Sequence, residues 1–269
     1  MIDMKHGMLV SILLLSGSAK VALGAPPPAA RPVLVELYTS QGCSSCPPAD
    51  RFVHELPARG LGPDKVVALT FHVDYWDHLG WADRFATPSF TARQGWYADS
   101  GRLRAPDGDR AIAGVYTPQM IVGGQVHFPG GQTDVALRQI AAAARRPSTV
   151  TLAVRAASEG AAVTVRARVL GAERLARGDD WRLTAALVQK TAETRVLRGE
   201  NGGETLPEAS VVRALSARLP LTLRADQEIA VTLAKPADLT WQNAALVLFV
   251  QSEKTREVVA TAEIDAPAR

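Results

Sequence analysis

The chain has 269 residues, 47% of them hydrophobic and 21% charged, with a formal net charge of +3. That length favours two domains over one, and the composition is that of an ordinary globular protein. The charge is small and the basic residues are scattered, so neither a nucleic-acid partner nor a charged membrane-surface partner is implied.

At the N-terminus, Lys5 and His6 precede an apolar run from Met8 to Leu15, and the small residues Ala22 and Gly24 suit cleavage before Ala25. Residues 1–24 therefore read as a secretory signal peptide, which places the mature protein in the periplasm or outside the cell. The apolar run falls short of the ~20 residues a membrane span needs, so no span is expected after cleavage. A Pro/Ala linker, residues 25–32, follows.

VLVELYT, Val33 to Thr39, reads as a buried strand, and both cysteines of the chain come directly after it in TSQGCSSCPPAD. Phe52, Val53 and Leu56 have helical spacing, which predicts a helix starting at Pro47 with Cys46 at or near its cap. A second strand is expected over Val66–Val73, with the continuous apolar character of a parallel sheet covered on both faces. Residues 77–114, rich in aromatic residues at irregular spacing, read as an insertion packed over one end of the sheet. Gln119–Val122 and Gln125–Phe128 around Gly123-Gly124 predict a hairpin. Thr133 or Asp134 is then expected to cap a helix over Val135–Ala144.

From Thr149 the texture becomes strand-like: TVTLAVRA, AAVTVRARV, DWRLTAALVQK, LPLTLRA, EIAVTLAK, AALVLFVQS and EVVATAEI. Several alternate apolar and polar residues between turn-rich breaks, which predicts an antiparallel β-sandwich of about seven strands over residues 148–269.

The Cys43–Cys46 pair carries the chemistry. Two thiols three residues apart at a strand–helix junction form a reversible disulfide, and a helix start favours a thiolate. Closing so short a loop restrains little of the unfolded chain, which sets a redox centre above a structural clip. Cys43 is expected to be the exposed nucleophile and Cys46 the resolving thiol. The alternatives are a copper site built from Cys43, Cys46 and His72, and a non-catalytic binding module. His72, Asp74, Asp77 and His78 form a polar group just past the second strand, read either as a cation or substrate site or as turn caps. GENGG, Gly199–Gly203, reads as a tight loop with glycines at positive φ, or as a contact reaching the cysteine end of the other domain.

The order strand, Cys-x-x-Cys, helix, strand, Thr-Pro, hairpin and helix resembles the thioredoxin fold. The resemblance implies an α/β thioredoxin-like domain over residues 33–147, followed by the all-β sandwich-like domain. It also implies that Pro118 is a cis-proline which, with Thr117, shapes a substrate groove, and that Glu36 relays a proton to the resolving cysteine. More narrowly, VELYTSQGCSSCPPAD, HVDYWDHLGWAD, YTPQMIVGG and RGENGGETLPEASVVRAL together are similar to the secreted bacterial family known as domain of unknown function 1223. The expected function is an exported thiol–disulfide oxidoreductase with a protein or small-molecule thiol or disulfide as substrate and no dissociable cofactor.

Overall fold

A computed structural model describes residues 31–108 and 114–267; the signal-peptide reading over 1–24 lies outside the described residues, as does most of the linker. The strands and helices in chain order are β1 (Val33–Thr39), α1 (Pro47–Glu55), β2 (Val66–His72), α2 (Pro88–Ala98), β3 (Gln119–Val122), β4 (Val126–Pro129), α3 (Thr133–Ala144), β5 (Thr151–Glu159) and β6 (Ala162–Leu170). After them come β7 (Trp181–Arg195), β8 (Thr205–Leu215), β9 (Leu219–Pro220), β10 (Gln227–Ala234), β11 (Ala244–Ser252) and β12 (Val258–Asp265).

The protein is mostly β. One mixed sheet of nine strands runs β12-β11-β7-β8-β2-β1-β3-β4, with β9 paired to β7. This corrects the expectation of an α/β thioredoxin-like domain followed by a separate sandwich, because four long strands of the second half continue the sheet of the first. The junction is β8, which lies parallel to β2 at Thr70 and Val211, with Thr70 Oγ1 donating to the Ala209 carbonyl at 2.8 Å. Among the described residues only β5, β6 and β10 form a sheet apart. Val163, Val165 and Val169 of β6 pack against Leu183 and Leu187 of β7 and Leu246 and Leu248 of β11.

Every residue of β1 is buried. Its alternation therefore feeds two cores. Leu34 and Tyr38 join Phe71 of β2 and Phe90 and Tyr97 of α2 on one face; Val33, Val35 and Leu37 join Phe52 and Val53 of α1 and Ile140 of α3 on the other. The insertion thus contains a full helix, α2, which covers one face of the sheet. The hairpin turns at Gly123 and Gly124, with φ of 59° and 70°, where side chains with a Cβ are disfavoured. Helix α3 starts at Thr133, and Gln132 precedes it without a side-chain cap, so the expected Thr133 or Asp134 cap is not formed. No helix among the described residues is long and apolar enough to cross a membrane.

Candidate functional site

The cysteine loop leaves the C-terminal end of β1 and turns into α1, whose first two residues are Pro47 and Pro48. Cys46 is the residue at the cap, with helical φ and ψ. Cys43 and Cys46 are joined in a disulfide, with their Cα atoms 5.5 Å apart. The two prolines carry no N–H, and the Ala49 amide already bonds the Cys46 carbonyl at 2.9 Å, so the helix start has few free amides to offer a sulfur. Hydroxyls take that place. Thr117 Oγ1 donates to Cys43 Sγ at 3.3 Å, Ser45 Oγ lies 3.4 Å from the same sulfur, and Trp76 Nε1 orients Thr117 by donating to its hydroxyl at 2.8 Å. The peptide bond between Thr117 and Pro118 is cis, and Pro118 is buried beside Gly130.

Cys43 was expected to be the exposed cysteine; it is fully buried, as is Cys46, while Ser44 and Ser45 between them are exposed. The β7–β8 loop lies against the backbone of this segment. Asn201 Nδ2 donates to the carbonyls of Gln41 at 2.9 Å and Cys43 at 3.0 Å, and the Ser44 amide donates to Glu200 Oε2 at 3.0 Å. Gly199, at φ 80°, sits where a Cβ would meet that of Trp81 at 3.2 Å. The GENGG stretch therefore does both things its sequence suggested: it is a tight loop, and it meets the cysteine end of the first half.

Beneath the loop lies a buried polar cluster. His72 Nδ1 is 2.7 Å from Asp83 Oδ2, which also accepts from the Gln41 amide at 2.8 Å. The Gln41 side chain donates to Glu208 of β8 at 2.6 Å and to Thr194 of β7 at 3.1 Å. From α1, Asp50 accepts from Thr39 Oγ1 at 3.1 Å. Asp50 Oδ1 and His72 Nε2 are buried without a hydrogen-bond partner among the described residues.

Burial pushes the Asp50 carboxyl up to about 7, against the opposing pull of His72 and Thr39. Burial also disfavours the His72 imidazolium, but Asp83, Glu208 and Asp50 outweigh it and bring the ring up to about 9. Asp83 is opposed by burial too, yet His72 and the amides of Gln41 and Phe85 hold it below the usual carboxylate range.

These shifts fix a pH dependence. A raised imidazole pKa stabilises the fold fully below its unfolded value of ~6.5, and that stability is lost as pH rises through about 9. Asp50 acts with the same sign at lower pH, since its native state holds a proton that the unfolded chain releases near pH ~4. We expect urea-unfolding free energy to fall by up to ~3 kcal/mol between pH ~6.5 and ~9. Asp83→Asn is expected to flatten that decline; an equally steep decline in the variant would contradict the assignment.

The other expected residues are dispersed. Glu36 points to the α2 face of β1, where Arg93 Nε donates to its Oε1 at 2.8 Å and the Tyr97 hydroxyl donates to Oε2. Asp74 accepts from Thr91 Oγ1 at 2.5 Å, Asp77 Oδ1 accepts from the Asp83 amide at 3.0 Å, and His78 is exposed. With the thiols joined and His72 Nδ1 bound to Asp83, Cys43, Cys46 and His72 are not arranged as a metal-binding set. Among the described residues no group of three or more His, Cys, Asp or Glu is so arranged. Sequence reasoning missed Asp50, Asp83, Glu208 and Gln41. Of these only Asp50 carried a local signal, its place one helical turn after Cys46.

Two solved structures share the fold. Protein AGR_C_4864 from Agrobacterium tumefaciens is 22% identical, with a TM-score of 0.63 over 90% of this chain and 97% of that one. HBP35 of Porphyromonas gingivalis is 14% identical, with a TM-score of 0.63 over 89% and 76%. No curated protein matches the chain. The family model described as "Protein of unknown function (DUF1223)" matches residues 34–251, and the chain belongs to that family.

Proposed function

We propose that this protein is an exported thiol–disulfide oxidoreductase whose reacting group is the Cys43–Cys46 pair. The observation that carries this reading is the placing, among the described residues, of hydroxyl donors on Cys43 Sγ and not on Cys46 Sγ, from Thr117 and Ser45, because a sulfur that leaves or attacks as thiolate needs such donors. A clip has little to gain here. By loop closure a bridge this short contributes on the order of 2 kcal/mol, against ~3 for a 15-residue loop.

In the oxidising direction a substrate thiolate attacks Cys43 Sγ, the Cys43–Cys46 bond breaks, and Cys46 leaves with the electron pair. Asp50 supplies its proton. Cys46 is the cap of α1 and Asp50 lies four residues on, its amide bonded to the Cys46 carbonyl at 3.2 Å, so both side chains share one face of the first turn. A second substrate thiolate then attacks its own sulfur in the mixed disulfide and releases Cys43 as a thiolate held by Thr117 and Ser45. The substrate dithiol becomes a disulfide, and the protein's pair takes up two electrons. Run backwards, the same steps reduce a substrate disulfide. The oxidised pair fits the periplasm or cell exterior, where disulfides persist.

The test is trapping. Cys46→Ala removes the resolving thiol, so incubation with a reduced, unfolded cysteine-bearing protein and an oxidant is expected to accumulate a mixed disulfide at Cys43. Cys43→Ala is expected to give none. Equal trapping by both variants, or by neither, would sink the proposal.

A further inference from the structure

Both sulfurs are fully buried, so no partner of any size reaches them in this arrangement. Against the loop that carries them lies a short polar strap: Asn201 and Glu200 hold the backbone of Gln41, Cys43 and Ser44 through three hydrogen bonds. The strap loop is exposed at Leu197, Arg198, Gly199 and Glu200, while Val196 at its base and Asn201 are buried. A contact made by a few side-chain hydrogen bonds at the surface is released more readily than one made by apolar packing.

A second observation says what releases it. The described residues include four exposed large apolar side chains, Leu79, Val115, Leu170 and Leu197, and two of them, Leu79 and Leu197, belong to the segments that meet at Gly199. Leu197, 66% exposed, is on the strap two residues before Gly199. Leu79 belongs to the turn whose carbonyl lies 3.5 Å from the Cβ position of Gly199. Exposed apolar side chains are ordinary when scattered, but gathered around a concealed reactive group they mark a docking rim.

We propose that the β7–β8 loop is the specificity element of the cysteine pair: a cover latched by Asn201 that keeps small thiols out and yields to a polypeptide presenting apolar residues beside its cysteine. Such a partner buries Leu197 and Leu79 as it docks, and draws the strap away from Cys43. A small hydrophilic thiol has nothing to bury there and meets the pair closed. The partner's class rests on the exchange reading above. The cover does not, since any disulfide is reducible by a small thiol whether or not the protein turns over.

The experiment uses the oxidised full chain in two arms. In the first, dithiothreitol reduces the wild type, Asn201→Ala and Glu200→Gln under single-turnover conditions, with free thiols counted over time. Asn201→Ala is expected to react at least tenfold faster than wild type and Glu200→Gln two- to threefold faster. Glu200 is exposed, so its variant keeps the test alive if Asn201→Ala fails to fold, and wild-type rates in the folded variants would overturn the cover. In the second, two cysteine peptides are compared, one with leucine beside the cysteine and one with serine. The wild type is expected to prefer the leucine peptide at least tenfold, and Leu197→Ser to lose most of that preference; equal rates with both peptides in the wild type would overturn the docking rim. Absence of trapping in the Cys46→Ala experiment with an accelerated Asn201→Ala would leave the cover standing and remove only the exchange function.

Discussion

Replacing Arg93 by alanine is expected to lower folding stability by about 3–5 kcal/mol, because it strands the Glu36 carboxylate in the sheet. Arg93 and Glu36 are both buried, and they are joined at 2.8 Å. Gln251 Oε1 accepts from Arg93 at 3.2 Å, and the rings of Phe71, Trp96, Tyr97 and Phe249 surround the guanidinium at 5.2–5.6 Å. Removing one partner of such a pair costs far more than removing both. Glu36→Leu with Arg93→Met together is expected to fall within about 2 kcal/mol of wild type. Urea denaturation of the three variants checks this, and an Arg93→Ala loss under ~1 kcal/mol would contradict it. The pair ties β1, α2 and β11 into one core, which gives the acid in VLVELYT a structural role.

Asp50→Asn is expected to slow thiol exchange about 100-fold or more, the low end of what a positioned acid or base contributes. The wild-type rate should show an inflection near pH 7, where the Asp50 carboxyl titrates, and the variant should lack it. The groups facing Asp50 are Thr39 and His72, with Glu208 and Asp83 beyond. His72→Gln is therefore expected to move the inflection upward, since removing the imidazolium removes what pulls the carboxyl down. Asparagine keeps the shape and the Thr39 contact without a buried acid to protonate, so stability should not fall. Stopped-flow exchange with a fluorescent peptide disulfide reads the rate; an unchanged rate and pH profile in Asp50→Asn would rule out the proton role.

Much of the cysteine end was legible because its signals are local. The buried run of β1, the helical spacing after Pro47 and the Gly-Gly hairpin each lie within about ten residues of chain, where periodicity and turn chemistry decide. What joins the halves was not legible. Strand β8, TLPEASVVRAL, carries Pro207 and Glu208 near its start and Ser210 at its centre with φ 54°, which breaks every alternation a strand would show. Its Glu208 is buried only because Gln41 and Thr194 meet it from other elements.

LPLTLRA alternates well, yet only Leu219 and Pro220 pair there. The nine buried residues of β11 did carry a usable sign, since an unbroken apolar run fits a strand covered on both faces better than one in an open sandwich. The partners that define the site, Arg93 for Glu36, Asp83 for His72 and Asn201 for Cys43, lie beyond the reach of local pattern. Asn201 is 158 residues from Cys43.

The reduction potential of the Cys43–Cys46 pair, measured by equilibrating the purified mature protein in glutathione buffers and counting free thiols, tests the exchange function most directly. An exchange centre is expected between about −270 and −120 mV, the span of thiol–disulfide exchange proteins. A pair that stays oxidised below about −300 mV and exchanges slowly even in Asn201→Ala would be a stable clip, and would contradict it.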